Sequence, residues 1–209
     1  MRPSLLEEAR ALASGPRRVL GIAGPPGAGK STVAAALVAA LGESAVLVGM
    51  DGFHLLDEDL ARLGRSDRKG APDTFDVDAY VELLQRLRVA GSTVLAPDFD
   101  RITDAPVPDV IEVRPEVPLV VTEGNYLLLD EEPWHLVAPL LDTCWYVDVD
   151  ERLRVQRLTA RHHAHGKTLE AARAWATGSD QSNAQLVMAT RDRADRIVTD
   201  DEIAALLDR

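Results

Sequence analysis

Five short apolar runs are spread along the chain, and stretches with helical periodicity separate them. The runs are Arg18–Ala23, Ser44–Met50, Val117–Thr122, Thr143–Val149 and Arg196–Thr199. Their hydrophobicity is continuous rather than alternating, which is typical of parallel strands buried on both faces. The helical stretches between them fit βα units. The pattern therefore predicts an α/β fold with a five-stranded parallel sheet flanked by helices.

Three of the helical stretches have readable ends. Residues 4–7 have capping-box spacing, which predicts a short first helix that ends near residues 15–16. The second helix is predicted over Ser31–Leu41 and ends at Gly42, because glycine is common just past a helix. Apolar residues at helical spacing predict a third helix over Asp76–Ala90.

The segment Ser92–Val113 contains three prolines and is predicted to be an irregular loop with short extended pieces. Long loops inside a compact domain are usually functional. No internal repeat, low-complexity tract or linker divides the sequence. Residues 1–209 are therefore predicted to form a single domain.

Composition narrows the functional classes. The formal net charge of −11 argues against nucleic-acid and anionic-membrane partners. No apolar run approaches the roughly 18 residues that a membrane span needs. The one cysteine, Cys144, lies in an apolar strand and is expected to be a core residue. These features favour a cytoplasmic protein.

Residues 24–31 match the phosphate-binding loop G-x-x-x-x-G-K-[ST], between a predicted strand and a predicted helix. Glycines let backbone N–H groups turn toward phosphate oxygens, and the helix N-terminus adds partial positive charge. Lys30 is expected to reach the β- and γ-phosphates, and the Ser31 hydroxyl to bind Mg²⁺. The predicted nucleotide-binding residues are Gly24, Pro25, Pro26, Gly27, Ala28, Gly29, Lys30, Ser31 and Thr32. The chain is predicted to bind a nucleoside triphosphate.

A carboxylate followed by glycine stands at the end of each of two predicted strands. These carboxylates are Asp51 and Glu123. Ligands of open α/β sheets bind beyond the carboxyl ends of the strands, so both should face the phosphate loop. We predict that Asp51 is the base for an acceptor hydroxyl and that Glu123 supports Mg²⁺. The alternative is that each Asp-Gly or Glu-Gly pair only forms a turn and has no catalytic role.

A basic helix is predicted within residues 150–175. Between residues 150 and 173 there are six basic and three acidic side chains, a local charge of +3 in an acidic chain. Arg154, Arg157 and Arg161 share one helix face. We predict a lid over the triphosphate, with Arg157 or Arg161 stabilising the transferring group. The alternative is a solvated helix face.

Several segments resemble the P-loop kinases of the phosphoribulokinase, uridine kinase and type I pantothenate kinase superfamily, over about Arg18 to Thr199. The segments that resemble pantothenate kinases are Asp51–Phe53 with Lys69–Pro72, Ala96–Phe99 and Thr190–Asp195. Glu123–Leu129 followed by Pro133 and Trp134 closely resembles the bacterial nucleoside/nucleotide kinase family, or fructose transport system kinases. The resemblance implies a P-loop NTPase fold, ATP, Mg²⁺ and phosphorylation of a hydroxyl on a small metabolite. It implies Asp51 as the base and Arg157 and Arg161 on the lid, and it is compatible with a homodimer.

The acceptor pocket is predicted between the Asp51 turn, two loops and the segment after Glu123. Its predicted substrate-contacting residues are Phe53, His54, Lys69, Phe99, Arg101, Asn125, Tyr126 and Asn183. This mixture suits a polyhydroxylated or carboxylate-bearing metabolite. Arg101 stands where pantothenate kinases carry a substrate-contacting histidine, and uridine kinases have Asp-Ser-Phe-Tyr where this chain has Asp-Gly-Phe-His. Pantothenate-, sugar- and nucleoside-like acceptors therefore stay open.

A regulatory or accessory P-loop NTPase is the competing functional class. A guanine-specific switch would be expected to carry an Asn/Thr-Lys-x-Asp motif, and the sequence contains none. An accessory NTPase that loads a metal would be expected to carry a cysteine or histidine relay, for which one cysteine is too few. The sequence therefore favours an ATP-dependent small-molecule kinase.

Overall fold

The computed structural model describes residues 2–89 and 91–208. The strands are β1 (Arg18–Ala23), β2 (Ala45–Gly49), β3 (Val94–Asp100), β4 (Ala105–Val113), β5 (Leu119–Gly124), β6 (Thr143–Val147) and β7 (Arg196–Val198). The helices are α1 (Leu5–Leu12), α2 (Lys30–Leu41), α3 (Asp57–Arg62), α4 (Val77–Val89), α5 (Glu151–Ala164), α6 (Leu169–Thr177), α7 (Ser179–Met188) and α8 (Asp200–Leu207).

Five of the strands form a parallel sheet in the order β2-β5-β1-β6-β7. Each corresponds to one of the apolar runs, which confirms the predicted α/β fold. The predicted α4 is also present, although its expected last residue, Ala90, lies outside the described residues. The first helix carries the predicted capping box but ends at Leu12, before the expected Gly15.

The side chains of the central strand β1 alternate between two apolar layers. Val19 and Ala23 join a core that includes α4 and the rings around Trp134. Leu20 and Ile22 face the opposite way, into a core that α1, α2 and α8 cover. Burial on both faces explains why the strands have continuous rather than alternating hydrophobicity.

The segment predicted as an irregular loop is instead an ordered antiparallel hairpin of β3 and β4. Its register shifts between Ala96 and Asp98, on either side of Pro97. Pro106 and Pro108 lie in β4, whose ladder in the described residues runs to β3 alone. Proline lacks the N–H donor, and such an edge strand tolerates it. The prediction of an irregular loop was based on the prolines and is wrong, because the segment pairs as two strands.

The ends of β2 and β5 meet at one edge of the sheet. Glu123 of β5 is in register with Gly49 of β2 and with Ile22 of β1. A Cβ on Gly124 would lie 2.6 Å from the Cβ of Met50, so only glycine permits this approach. The contact brings the residues that follow β2 and β5 to the edge where the loop after β1 begins.

Within the described part of the chain, no helix combines the length and the apolar character that a transmembrane span requires.

Candidate active site

The phosphate-binding loop connects β1 to α2 and lies directly against α5. Gly27 has a φ of 81° and Gly29 a φ of 98°, a region that favours glycine. A Cβ on Gly27 would also lie 2.7 Å from Cγ of Leu158 and 2.9 Å from the carbonyl oxygen of Arg154. The loop therefore has both the backbone shape of an anion cradle and a close contact with α5.

Lys30 is the first residue of α2 and is only 7% exposed. Its amine donates to Asn125 Oδ1 at 2.7 Å and to the Pro25 carbonyl oxygen at 3.2 Å. Burial lowers the pKa of the Lys30 amine, and the carboxylates of Glu123 and Asp51 oppose this shift. The amine thus occupies a site with two carboxylates nearby.

The Ser31 hydroxyl donates to Glu123 Oε1 at 2.7 Å. Burial raises the pKa of Glu123, the Asp51 carboxylate adds to the shift, and Lys30 opposes it. A hydroxyl and a carboxylate beside a phosphate cradle are the hard oxygen ligands that Mg²⁺ prefers. The side chains present at this position fit a magnesium ion.

Asp51 follows β2 in a short 3₁₀ turn, and its carboxylate faces the tip of the hairpin. Arg101 Nη2 lies 3.7 Å from Asp51 Oδ2. The next residue, Gly52, packs so closely on the hairpin that a Cβ would lie 2.8 Å from the Pro97 carbonyl oxygen. The hairpin thereby brings a cation to a carboxylate that the sequence separates by fifty residues.

His54 lies beside Asp51 with its ring packed against two aromatic rings. The ring centroids of Phe75 and Phe99 are 4.1 Å and 4.9 Å from that of His54. Burial lowers the pKa of His54, although the nearby Asp51 carboxylate opposes this. Because Nδ1 lies 2.8 Å from the Asp51 carbonyl oxygen, which only accepts, Nδ1 carries the proton of the neutral ring. Nε2 of that tautomer accepts hydrogen bonds.

The three arginines of α5 have different environments. Arg154 is buried, and its guanidinium donates to the Pro26 carbonyl oxygen at 3.4 Å and to Gln181 Oε1. Arg157 donates to the Ala28 carbonyl oxygen at 3.3 Å, and Arg161 lines the cleft. The first arginine anchors α5 on the loop, and the other two extend toward the phosphate cradle.

Most of the predicted residues line one cleft of about 850 Å³. From the nucleotide and catalytic sets these are Pro26, Gly27, Gly29, Lys30, Ser31, Thr32, Asp51, Glu123, Arg157 and Arg161. From the substrate set these are His54, Lys69, Phe99, Arg101, Asn125 and Asn183. Gly24, Pro25 and Ala28 are buried within the loop itself. The cleft has the size of a small-molecule site.

Two predicted substrate residues lie in the core behind the cleft instead. Phe53 packs on Tyr80 with 5.0 Å between ring centroids. Tyr126 is fully buried and donates its hydroxyl to the Gly70 carbonyl oxygen at 2.6 Å. Burial of their rings in the core is favourable, and the two residues support the cleft wall instead of lining the cleft.

Lys69 lines the cleft but has acidic partners of its own. Its amine lies 2.8 Å from Asp57 Oδ1 and 2.8 Å from Asp104 Oδ2. It also donates to the Asp104 carbonyl oxygen at 2.7 Å. These contacts tie the loop after α3 to the hairpin turn.

Sequence reasoning predicted Arg157, Arg161 and Asn183 on the lid side of the cleft but missed His162, Trp175 and Asp180, which also line it. His162 Nε2 and Asp180 Oδ2 are 2.6 Å apart and join α5 to α7. Trp175 of α6 also lines the cleft, and the Lys167 amine lies 4.4 Å from a ring centroid of its indole. The signal that could have found Asp180 is its position one turn before Asn183, which was predicted.

The strand order, the glycine-rich loop and the carboxylates at the strand ends define a P-loop kinase. The phosphoribulokinase / uridine kinase family model matches residues 19–202. The chain belongs to this family, and it is an ATP-dependent small-molecule kinase. Family membership confirms the predicted resemblance and the predicted enzyme class.

Three relatives are informative. The chain is 34% identical over 187 residues to Escherichia coli (strain K12) protein YggC, covering 87% of this chain and 77% of YggC. It is 40% identical over 125 residues to the ATP-dependent kinase-like protein notR' of Aspergillus versicolor, covering 56% and 73%. The crystal structure of a "putative fructose transport system kinase" from Silicibacter sp. TM1040 is similar with a TM-score of 0.85 and 34% identity. That similarity covers 94% of this chain and all of the other.

Proposed function

We propose that the protein transfers the γ-phosphoryl group of ATP, with Mg²⁺, to a hydroxyl of a small anionic metabolite. The observation that carries the proposal is the position of Asp51. Its carboxylate lies in the same cleft as Lys30, the Ser31–Glu123 pair and the arginines of α5. Phosphoryl transfer requires a base, a phosphate cradle and cationic side chains that can contact the transferring group.

The residues of the loop and of β5 would hold the nucleotide. Backbone N–H groups and the α2 N-terminus favour the phosphates, and Lys30 would contact their β- and γ-oxygens. Ser31 and Glu123 would hold Mg²⁺, either directly or through water. The bound ion supplies charge neutralisation at the phosphate oxygens.

Asp51 would accept the proton of the attacking hydroxyl. The hydroxyl oxygen forms a bond to the γ-phosphorus while the bond from phosphorus to the ADP oxygen breaks. Arg157 and Arg161 would contact the oxygens of the transferring group, where charge spreads in the transition state. The exposed position of both arginines beside the loop supports this role.

Arg101 favours an anionic acceptor. Its side chain is 51% exposed, and its ion pair with Asp51, at 3.7 Å, is longer than a hydrogen bond. A guanidinium fork binds carboxylate or phosphate through two parallel hydrogen bonds. His54 Nε2 adds a hydrogen-bond acceptor for a hydroxyl. We infer a hydroxylated carboxylate or phosphate ester as the substrate class.

A metabolite panel tests the proposal. Purified protein with Mg²⁺ and ATP is offered hydroxy acids, sugar phosphates, ketohexoses, pantothenate and nucleosides, and ADP formation is measured. We expect turnover with an anionic hydroxyl compound and its loss in Lys30→Ala, and a thermal unfolding transition checks that this variant is folded. Turnover that survives Lys30→Ala would overturn the kinase mechanism. A neutral nucleoside as the best substrate would overturn the acceptor class.

A further inference from the structure

The buried Lys30 amine has a neutral partner although two carboxylates lie close by. Within residues 2–89 and 91–208, its hydrogen bonds go to the Pro25 carbonyl and to the Asn125 amide, the latter at 2.7 Å. Glu123 and Asp51 are near enough to influence the pKa of Lys30, yet neither forms a hydrogen bond with it there.

Geometry fixes the orientation of the Asn125 amide. An ammonium group only donates hydrogen bonds, so the atom that faces Lys30 is Oδ1. On one side of Asn125, Gly124 packs against Met50. On the other side, the Tyr126 hydroxyl is bound to the Gly70 carbonyl at 2.6 Å. Two anchored neighbours therefore hold the backbone of Asn125 in place, and its side-chain oxygen is bound by Lys30.

We propose that Asn125 is a positioning residue for Lys30. Its neutral oxygen keeps the amine at the cradle and away from the carboxylates of Glu123 and Asp51. An ion pair in this buried site would hold the amine more strongly than an amide does, and phosphate oxygens would have to displace it. The neutral oxygen leaves the lysine charge available to the nucleotide.

This inference rests on the proposed nucleotide site but not on the identity of the acceptor. Equilibrium binding of a non-hydrolysable ATP analogue with Mg²⁺ is therefore the main measurement. If wild type binds the analogue but phosphorylates no compound, the proposed function fails while the role of Asn125 is still measured.

Two substitutions of Asn125 distinguish the possible roles of its side chain. Asn125→Ala removes the oxygen and lets the amine move to Glu123 or Asp51, from which the phosphates must displace it, so analogue binding should weaken by about 10-fold. Asn125→Asp is isosteric but charged, and it should weaken binding more than alanine does. A packing role predicts the reverse order, because aspartate fills the same space. Aspartate that binds as tightly as wild type would overturn the proposal.

A double-mutant cycle tests whether the effect passes through Lys30. Asn125→Ala in a Lys30→Met background should change analogue binding by less than about 2-fold. An undiminished 10-fold effect there would show that Asn125 acts independently of the lysine and would overturn the proposal. Melting temperatures of all variants exclude a folding defect as the cause.

Discussion

The guanidinium of Arg101, at the tip of the β3–β4 hairpin, lies 3.7 Å from the carboxylate of Asp51 at the end of β2. The two side chains are 51% and 36% exposed, so solvent screens their attraction. Such a pair opens at little cost. An acceptor that carries both a hydroxyl and an anionic group could therefore replace this ion pair. Its hydroxyl would bind Asp51 and its anionic group would bind Arg101.

Replacing Arg101 with alanine should raise KM for the acceptor about 10- to 100-fold, the range for a lost hydrogen bond to a charged group. The affinity for ATP should not change, because Arg101 belongs to the acceptor side of the cleft. Steady-state kinetics with each substrate varied separately measures both. Arg62→Ala is the matched control, since Arg62 is an exposed arginine that pairs with Asp59. An unchanged KM would exclude anion binding by Arg101.

Asp51→Asn should lower kcat by about 10²- to 10⁴-fold, the usual contribution of a general base. Binding of ATP should remain within about 2-fold of wild type, because the base acts on the acceptor hydroxyl. Single-turnover kinetics and nucleotide titration measure the two effects. If Asp51→Asn mainly weakens the response to Mg²⁺, the roles of Asp51 and Glu123 are exchanged.

Glu123→Gln should raise the Mg²⁺ concentration required for half-maximal activity. The amide retains the size of the side chain and can still bond Ser31, but it loses the negative charge that favours a divalent cation. A magnesium titration at fixed ATP measures the shift. An unchanged magnesium response would remove Glu123 from the metal site.

The arginines of α5 should separate into two classes. Arg157→Ala and Arg161→Ala should leave the melting temperature unchanged, and at least one should lower kcat with little effect on ATP affinity. Arg154→Ala should lower the melting temperature, because it removes a buried side chain that bonds the phosphate loop. Thermal unfolding together with kcat distinguishes the classes. Wild-type kinetics for the Arg157/Arg161 double variant would show that these arginines are only part of a solvated helix face.

Cys144 should not react with thiol reagents in the folded protein. The residue is 3% exposed, and burial raises the pKa of its thiol to about 12. The reactive thiolate is therefore scarce at neutral pH, and reagents cannot reach it. Labelling followed by mass spectrometry should show modification only in denaturant. Rapid labelling under native conditions would contradict the burial of β6.

The sequence by itself determined the features that depend on local pattern. Continuous apolar runs identified the five parallel strands, and residues 24–31 identified the phosphate loop with its following helix. Asp51 and Glu123 could be assigned to the same edge, because parallel strands place their carboxyl ends together. These inferences need only hydrophobic periodicity and backbone conformation, and neighbouring residues along the chain set both.

Only the tertiary structure decided which side chains meet. The hairpin depends on pairing between β3 and β4, and the prolines of β4 concealed it. Phe53 and Tyr126 are buried in the core and do not line the cleft, because they pack against other elements, which no local pattern specifies. The bond between Lys30 and Asn125 joins residues 95 positions apart. Such contacts follow from the distances between elements after folding, and charge or polarity in the sequence does not encode them.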